Sequence, residues 1–231
     1  SRDTVMCYID LARRSRLDVV GMHSEHLTIL RAFSHLYRGG EDPQQVLCFI
    51  DLGAATTKVV IAHGTQLTFA KTIHAAGDHI TRQVAAARNL SFAKARRARI
   101  EEAAGGAGVG SPPPDPGPLV RGAATLGTTV AAEADPGADT LDCLIDELQM
   151  CLRYHQSVFP DHPVQKLVFL GGESRDANRC QAVARAVRIA AQRGDPFARF
   201  AQTEPAAGVD LNQPQPGWAV PMGLCLSEAN L

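Results

Sequence analysis

Asp51, Gly53, Thr56, Thr57 and Lys58 fall within one short stretch, Asp51-Leu52-Gly53-Ala54-Ala55-Thr56-Thr57-Lys58, between two apolar runs. That spacing suits an anion site. A polyphosphate tail must be met by backbone N–H groups with no side chain in the way, and Gly53, followed by the small Ala54, allows the approach. Successive N–H groups in a tight turn form an anion-binding concavity, and Thr56 and Thr57 add hydroxyl donors. Asp51, at the carboxyl end of the first apolar run, can orient a hydrated Mg²⁺, which prefers carboxylate and water ligands. The competing reading is an ordinary hairpin in which Asp and Gly only make the turn. The complete pattern between two apolar strands favours the phosphate site.

A second candidate is Val168-Phe169-Leu170-Gly171-Gly172-Glu173-Ser174, an apolar run that ends in paired glycines. Gly171 and Gly172 would let a flat purine or a ribose lie against the backbone, with Glu173 and Ser174 beside it, and Ser174 can cap a following helix. A tight strand-to-helix connection with no ligand explains the motif as well. A third feature, Ala219-x-x-x-Gly223 near the C-terminus, places small residues one helical turn apart and reads as a packing notch. The histidines show no metal pattern: His23 and His26 are three apart, with no third ligand evident nearby. Ser174 lacks the context of a nucleophilic serine.

These motifs need elements to position them. Val46–Ile50 is a continuous apolar strand, Thr56–Ala62 a second strand rich in β-branched residues, and Gln66–Ile73 a third, so 46–73 is predicted to be an antiparallel meander. An unbroken apolar strand is usually central, covered on both faces. Before it, 3–38 reads as helix, strand, helix, with Leu17–Met22 as the strand and Ser24 as an N-cap. After it come a helix opened by Gly77 and Asp78, and a basic helix from Ser91 to about Glu102 whose Lys94, Arg96, Arg97 and Arg99 suggest a solvated face. Residues 104–120 are rich in Gly, Ala and Pro and read as a flexible insertion. A long amphipathic helix (141–158), the strand 164–170, a helix over 177–192, a strand at 197–202 and a terminal helix (218–226) complete the reading.

With 231 residues, 45% hydrophobic and 20% charged, the composition is that of a globular protein of one large domain or two small lobes. The net charge of −1 gives no ground for nucleic-acid binding. Six scattered cysteines without a C-x-x-C pair argue against a disulfide framework or a zinc site and suit a reducing compartment. No apolar run is long enough to span a bilayer.

In order, the phosphate-type hairpin, inserted region, long helix, Gly-Gly turn and small-residue terminal helix resemble the second half of the actin, heat-shock chaperone and sugar-kinase superfamily. Within it the chain is most similar to the PilM family of type IV pilus assembly. The residues that carry this are F-I-D-L-G-A-A-T-T at 49–57, Gly77-Asp78-His79-Ile80-Thr81, Leu90-Ser91-Phe92-Ala93-Lys94-Ala95, and the helix from Leu144 to Tyr154. The resemblance implies an α/β, actin-like (ribonuclease H-like) fold: a mixed sheet with a three-strand antiparallel meander flanked by helices. Residues 1–42 would be a remnant of the first lobe and 43–231 the second, with 76–139 an inserted subdomain. It further implies ATP with Mg²⁺, a cytoplasmic place beside the inner membrane, and recruitment of a membrane-protein peptide, the N-terminal cytoplasmic segment of an inner-membrane pilus assembly protein. Self-association is a further expectation. Asp51 would arrange Mg²⁺ through water, Gly53, Ala54, Thr56, Thr57 and Lys58 would hold the phosphates, and Gly171, Gly172, Glu173 and Ser174 would flank adenosine.

The chain also departs from the family. No D-I-G-x-x-x-x-K hairpin precedes Val46, so the N-terminal lobe is expected to be incomplete, as in a fragment or a lineage that lost that half. The family's A-E-x-x-K signature aligns with Ala95-Arg96-Arg97-Ala98-Arg99, and arginine cannot accept a hydrogen bond from a ribose hydroxyl. Three readings follow: a nucleotide-binding assembly component with at most weak ATPase activity, a nucleotide-free scaffold of the same fold, and a small-molecule kinase.

Overall fold

The computed structural model describes residues 1–34, 45–105, 136–198 and 213–228. The strand formed by Val46–Leu52, β1, is buried at every position and lies in the middle of the fold. It pairs antiparallel with β2 (Thr57–His63), which pairs antiparallel with β3 (Gln66–Ile73). On its other side β1 runs parallel to β4 (Lys166–Leu170), and β4 parallel to β5 (Ala190–Arg193). The five strands therefore lie in the order β3-β2-β1-β4-β5, and the expected mixed sheet with an antiparallel meander is present.

Alternate residues of the strands feed two separate cores. Cys48, Ile50 and Ile61 pack with Leu144, Leu148 and Cys151 of α5 (Ala138–Val158) and Val183 of α6 (Ala177–Val187). Leu47, Phe49 and Val168 pack on the other face with Ile29 and Phe33 of α2 (Glu25–Phe33) and Ala219 of α7 (Ala219–Cys225). Both faces of β1 are covered, which is why its sequence does not alternate. After β3, α3 (Gly77–Ala87) and α4 (Phe92–Gly105) form a helical pair with a small core of Ile80, Val84 and Ala95.

Three expectations change. Leu17–Met22 is not a strand: it has no ladder partner among the described residues, and Leu17 and Val20 are exposed. It links α1 (Arg2–Arg14) to α2, whose start is capped by Ser24. The helix expected over 177–192 stops at Val187, where Arg188 takes the left-handed conformation (φ 58°), and 190–193 joins the sheet as β5. The strand expected at 197–202 begins as a turn at Phe197 and Ala198; the rest of it, and most of the 104–120 insertion, lie outside the described residues.

The packing notch is real. Gly223 crosses α2 so closely that a Cβ there would overlap the Thr28 carbonyl, and Arg31 on α2 donates to Ser227 Oγ at 2.7 Å. Gly223→Val should destabilise the chain by about 3 kcal/mol through overpacking, measured by urea unfolding. A smaller effect than Leu224→Ala on the exposed side would contradict this packing.

Candidate functional site

The carboxyl ends of β1 and β4 lie side by side, with Asp51 in register with Leu170. The two sequence motifs therefore meet. Gly171, at φ +82°, presses against Leu52 and the Asp51 carboxylate so tightly that a Cβ would overlap both. Only glycine combines that backbone angle with that contact. The start of α3 closes a third side: Gly77 N–H donates to Gly53 O at 3.1 Å and Asp78 N–H to Ala54 O at 2.7 Å.

Many of the expected ligand groups already have partners. Gly53 N–H donates to Thr56 O at 3.2 Å inside the turn. Thr57 is buried, and its hydroxyl donates to Ala75 O at 2.6 Å. Ser174 is buried, and its hydroxyl donates to Gly171 O at 2.7 Å, so it stabilises the turn; the cap of α6 is Asp176 instead, which accepts from Arg179 N–H at 3.0 Å. Lys58, opposite Asp51 in the ladder, is 3.6 Å from the Asp51 carboxylate and 2.9 Å from Glu25. Burial pushes the Asp51 carboxyl above its ordinary value, opposed by Lys58. Gly172 is open, and Ala54 is exposed at the tip of the hairpin.

Between the Gly-Gly turn and the α3–α4 pair lies an ion cluster. Arg99 on α4 pairs with the Glu173 carboxylate and donates to Gly77 O at 2.8 Å and Thr81 Oγ1 at 2.6 Å. Arg179 reaches the same Glu173 oxygen at 3.4 Å and Asp176 at 3.2 Å. The Glu173 side chain lies directly on Gly77, where a Cβ would displace it. The two guanidinium side chains are only 10% and 12% exposed, so these contacts are screened far less than surface pairs. Two cations face two carboxylates here. The space remaining between the hairpin, α3, α5 and Glu173 is a cavity of about 10 Å³, room for about one water molecule.

A nucleotide fits these residues only in part. Asp51 stands at the carboxyl end of β1 but is buried and faces Lys58, and Glu173 and Arg99 stand beside the Gly-Gly turn. The sequence pointed to Arg99 only as a substitution; Arg179 and Gly77 went unnoticed as parts of the site, although the Asp176–Arg179 spacing is a local signal. The other histidine candidates do not converge: His23 Nδ1 faces Arg31 at 3.1 Å and His26 Nε2 faces Thr72 at 3.3 Å. Among the described residues no group of acidic, His or Cys side chains is arranged to hold a metal.

Comparison with known proteins bears on the fold. The family described as cell division protein FtsA matches residues 48–196. Among solved structures, the chain superimposes on one from the PilM–PilN type IV pilus biogenesis complex with a TM-score of 0.74 at 18% identity, covering 97% of this chain and 57% of that one. MreB5 of Spiroplasma citri bound to ADP gives 0.59 at 12% identity, covering 96% and 63%. The ethanolamine utilization protein EutJ from Carboxydothermus hydrogenoformans gives 0.54 at 13% identity, covering 94% and 59%. The fold is thus actin-like, and the chain spans about three-fifths of the length of these proteins. No curated protein matches it in sequence.

Removing the shared anion should matter more than trimming one cation. Glu173→Gln, which leaves Arg99 and Arg179 facing each other, should cost about 2–3 kcal/mol in chemical unfolding, against about 1 kcal/mol for Arg99→Lys. Equal and negligible effects would show the cluster to be a solvated surface pair.

Proposed function

The chain belongs to the cell division protein FtsA family, and we propose that it acts as an actin-like scaffold that docks a partner in a membrane-associated assembly machine and keeps its shape without a bound nucleotide. The observation that supports this reading is the Arg99–Glu173–Arg179 cluster: charges of both signs, already matched, stand beside the Gly-Gly turn, where the resemblance would put adenosine.

The likeness to PilM, which forms a complex with PilN in type IV pilus biogenesis, supports the choice of machine. We take the partner to be an inner-membrane pilus assembly protein, or its counterpart in a related secretion machine, that offers a short cytoplasmic N-terminal segment. The scaffold then works on the cytoplasmic side of the inner membrane, held there by its partner. Among the described residues no helix is long and apolar enough to cross a membrane.

The second reading is a nucleotide-binding component, and the placement of Asp51 at the carboxyl end of β1 favours it. ATP and Mg²⁺ would require Glu173 to leave Arg99 and Gly77. Asp51 would then hold the metal's water, with Gly53, Ala54 and Thr56 toward the phosphates. A small-molecule kinase would further need a catalytic acid facing a substrate pocket.

Isothermal titration of the full chain with Mg·ATP separates the two. The scaffold reading expects no saturable heat up to about 1 mM, weaker than the usual range for nucleotide sites. Saturable binding that Asp51→Ala abolishes would establish the nucleotide-binding reading in its place. Partner docking is read by co-purification with cytoplasmic segments of inner-membrane pilus proteins from the same genome; failure of all of them to be retained would overturn the assignment to that machine.

A further inference from the structure

The opposite end of β2 carries a cluster that the candidate site does not use. His63, the last residue of β2, faces His155 in the final turn of α5, with their Nε2 atoms 2.8 Å apart. The His162 ring stands edge-on to His63 at 5.3 Å between centroids, and Phe159 packs against both His63 and His155 at 4.9 and 5.1 Å. His155 is 1% exposed, and its Nδ1 is buried with no hydrogen-bond partner in the protein.

Hydrogen-bond chemistry constrains the charge of this cluster. One proton lies between the two Nε2 atoms, so one ring donates and the other accepts. The arrangement with His155 donating leaves its buried Nδ1 as a bare lone pair, which is cheaper than an orphaned N–H. Protonating His155 would place a second N–H at that position, with no acceptor. Protonating both rings would turn the acceptor into a donor and break the bond. Among the described residues, the charged neighbours that bear on His63 and His155 are histidines. The ionisable group facing His63 from the loop after α5 is His162, whose Nδ1–H is turned to Asp161 O at 3.0 Å. His155 meets His63 from β2 and His162 from that loop. From β3 and the middle of α5, Lys71 and Glu147 pair with each other at 2.5 Å. The carboxyl end of α5 does favour a cation, but burial and the orphaned nitrogen oppose it.

We propose that His63 and His155, with the His162 ring packed against His63, form a proton-sensitive latch: the neutral His63–His155 pair holds the last turn of α5 onto the end of β2, and protonation of that pair releases it. α5 also walls the cavity beside Glu173 through Thr140, Leu141 and Leu144, so the latch acts on a helix that reaches the candidate site.

The direction with pH follows. Both His63 and His155 are held below the ordinary imidazole value, first by burial and then by neighbouring histidines. Their contribution is complete above the unfolded value of about 6.5 and is lost as pH falls below it.

Hydrogen-exchange protection at 152–158 in the full chain, corrected for intrinsic rates, should fall about tenfold between about pH 7.5 and about pH 5.5. His155→Phe should abolish most of that fall; His63→Gln, which keeps a hydrogen-bonding side chain that does not titrate, serves as the second variant should His155→Phe not fold. Protection unchanged with pH in the wild type, or a fall that persists in the variants, would overturn the latch. A Zn²⁺-induced rise in melting temperature that requires His63 and His155 would overturn it too, marking the cluster as a metal site.

Discussion

A strand that is covered on both faces can tolerate a polar group only at its ends, where water or a partner meets it. β1 obeys this rule: Val46 to Ile50 are apolar, and the first charged residue, Asp51, arrives at the carboxyl edge of the sheet. That edge is where the chain must turn, and where the parallel neighbour β4 also ends. The contact of Gly171 with Asp51 and Leu52 follows from this constraint. Two parallel strands ending together bring their loops together, and a glycine with positive φ lets the backbones touch. The hairpin, the Gly-Gly turn and the start of α3 are assembled around that single contact.

What fills the resulting crevice is a matter of charge balance. In a partly buried space, an unpaired carboxylate or guanidinium is expensive, whereas a matched set is close to neutral in energy and resists the removal of any one member. Glu173 stands beside two arginines from different elements, and Asp176 completes the balance. Such a cluster draws α4, the Gly-Gly turn and α6 into one unit. It gives a physical basis for a scaffold reading in a fold shared with nucleotide-bound proteins such as MreB5 with ADP.

At the other end of the sheet the same helix, α5, is tied down by different chemistry. There the rings of His63 and His155 share one proton, with Phe159 against both. The two ends of the molecule thus depend on opposite states: matched ions near Asp51 and neutral imidazoles near His63.

The local features were legible from residue order alone. The β1–β2 hairpin follows from apolar runs broken by Asp-Leu-Gly, α5 from its helical spacing, and the notch in α7 from Ala219 and Gly223 one turn apart, because strand, helix and turn preferences act over a few residues. The strand expected at Leu17–Met22 failed because an apolar run becomes a strand only beside another strand, and none of the described strands lies there. β5 was hidden inside a helical pattern because its pairing with β4 and the left-handed Arg188, not its composition, end the helix. The pairings that build the candidate site and the histidine cluster lay beyond that range. Arg99 and Glu173 are 74 residues apart, and His63 and His155 are 92. Sequence determined which groups the chain carries and how each segment folds locally; only the tertiary structure decided which charges neutralise one another, because that depends on which strand ends and helix faces the sheet order brings within hydrogen-bonding reach.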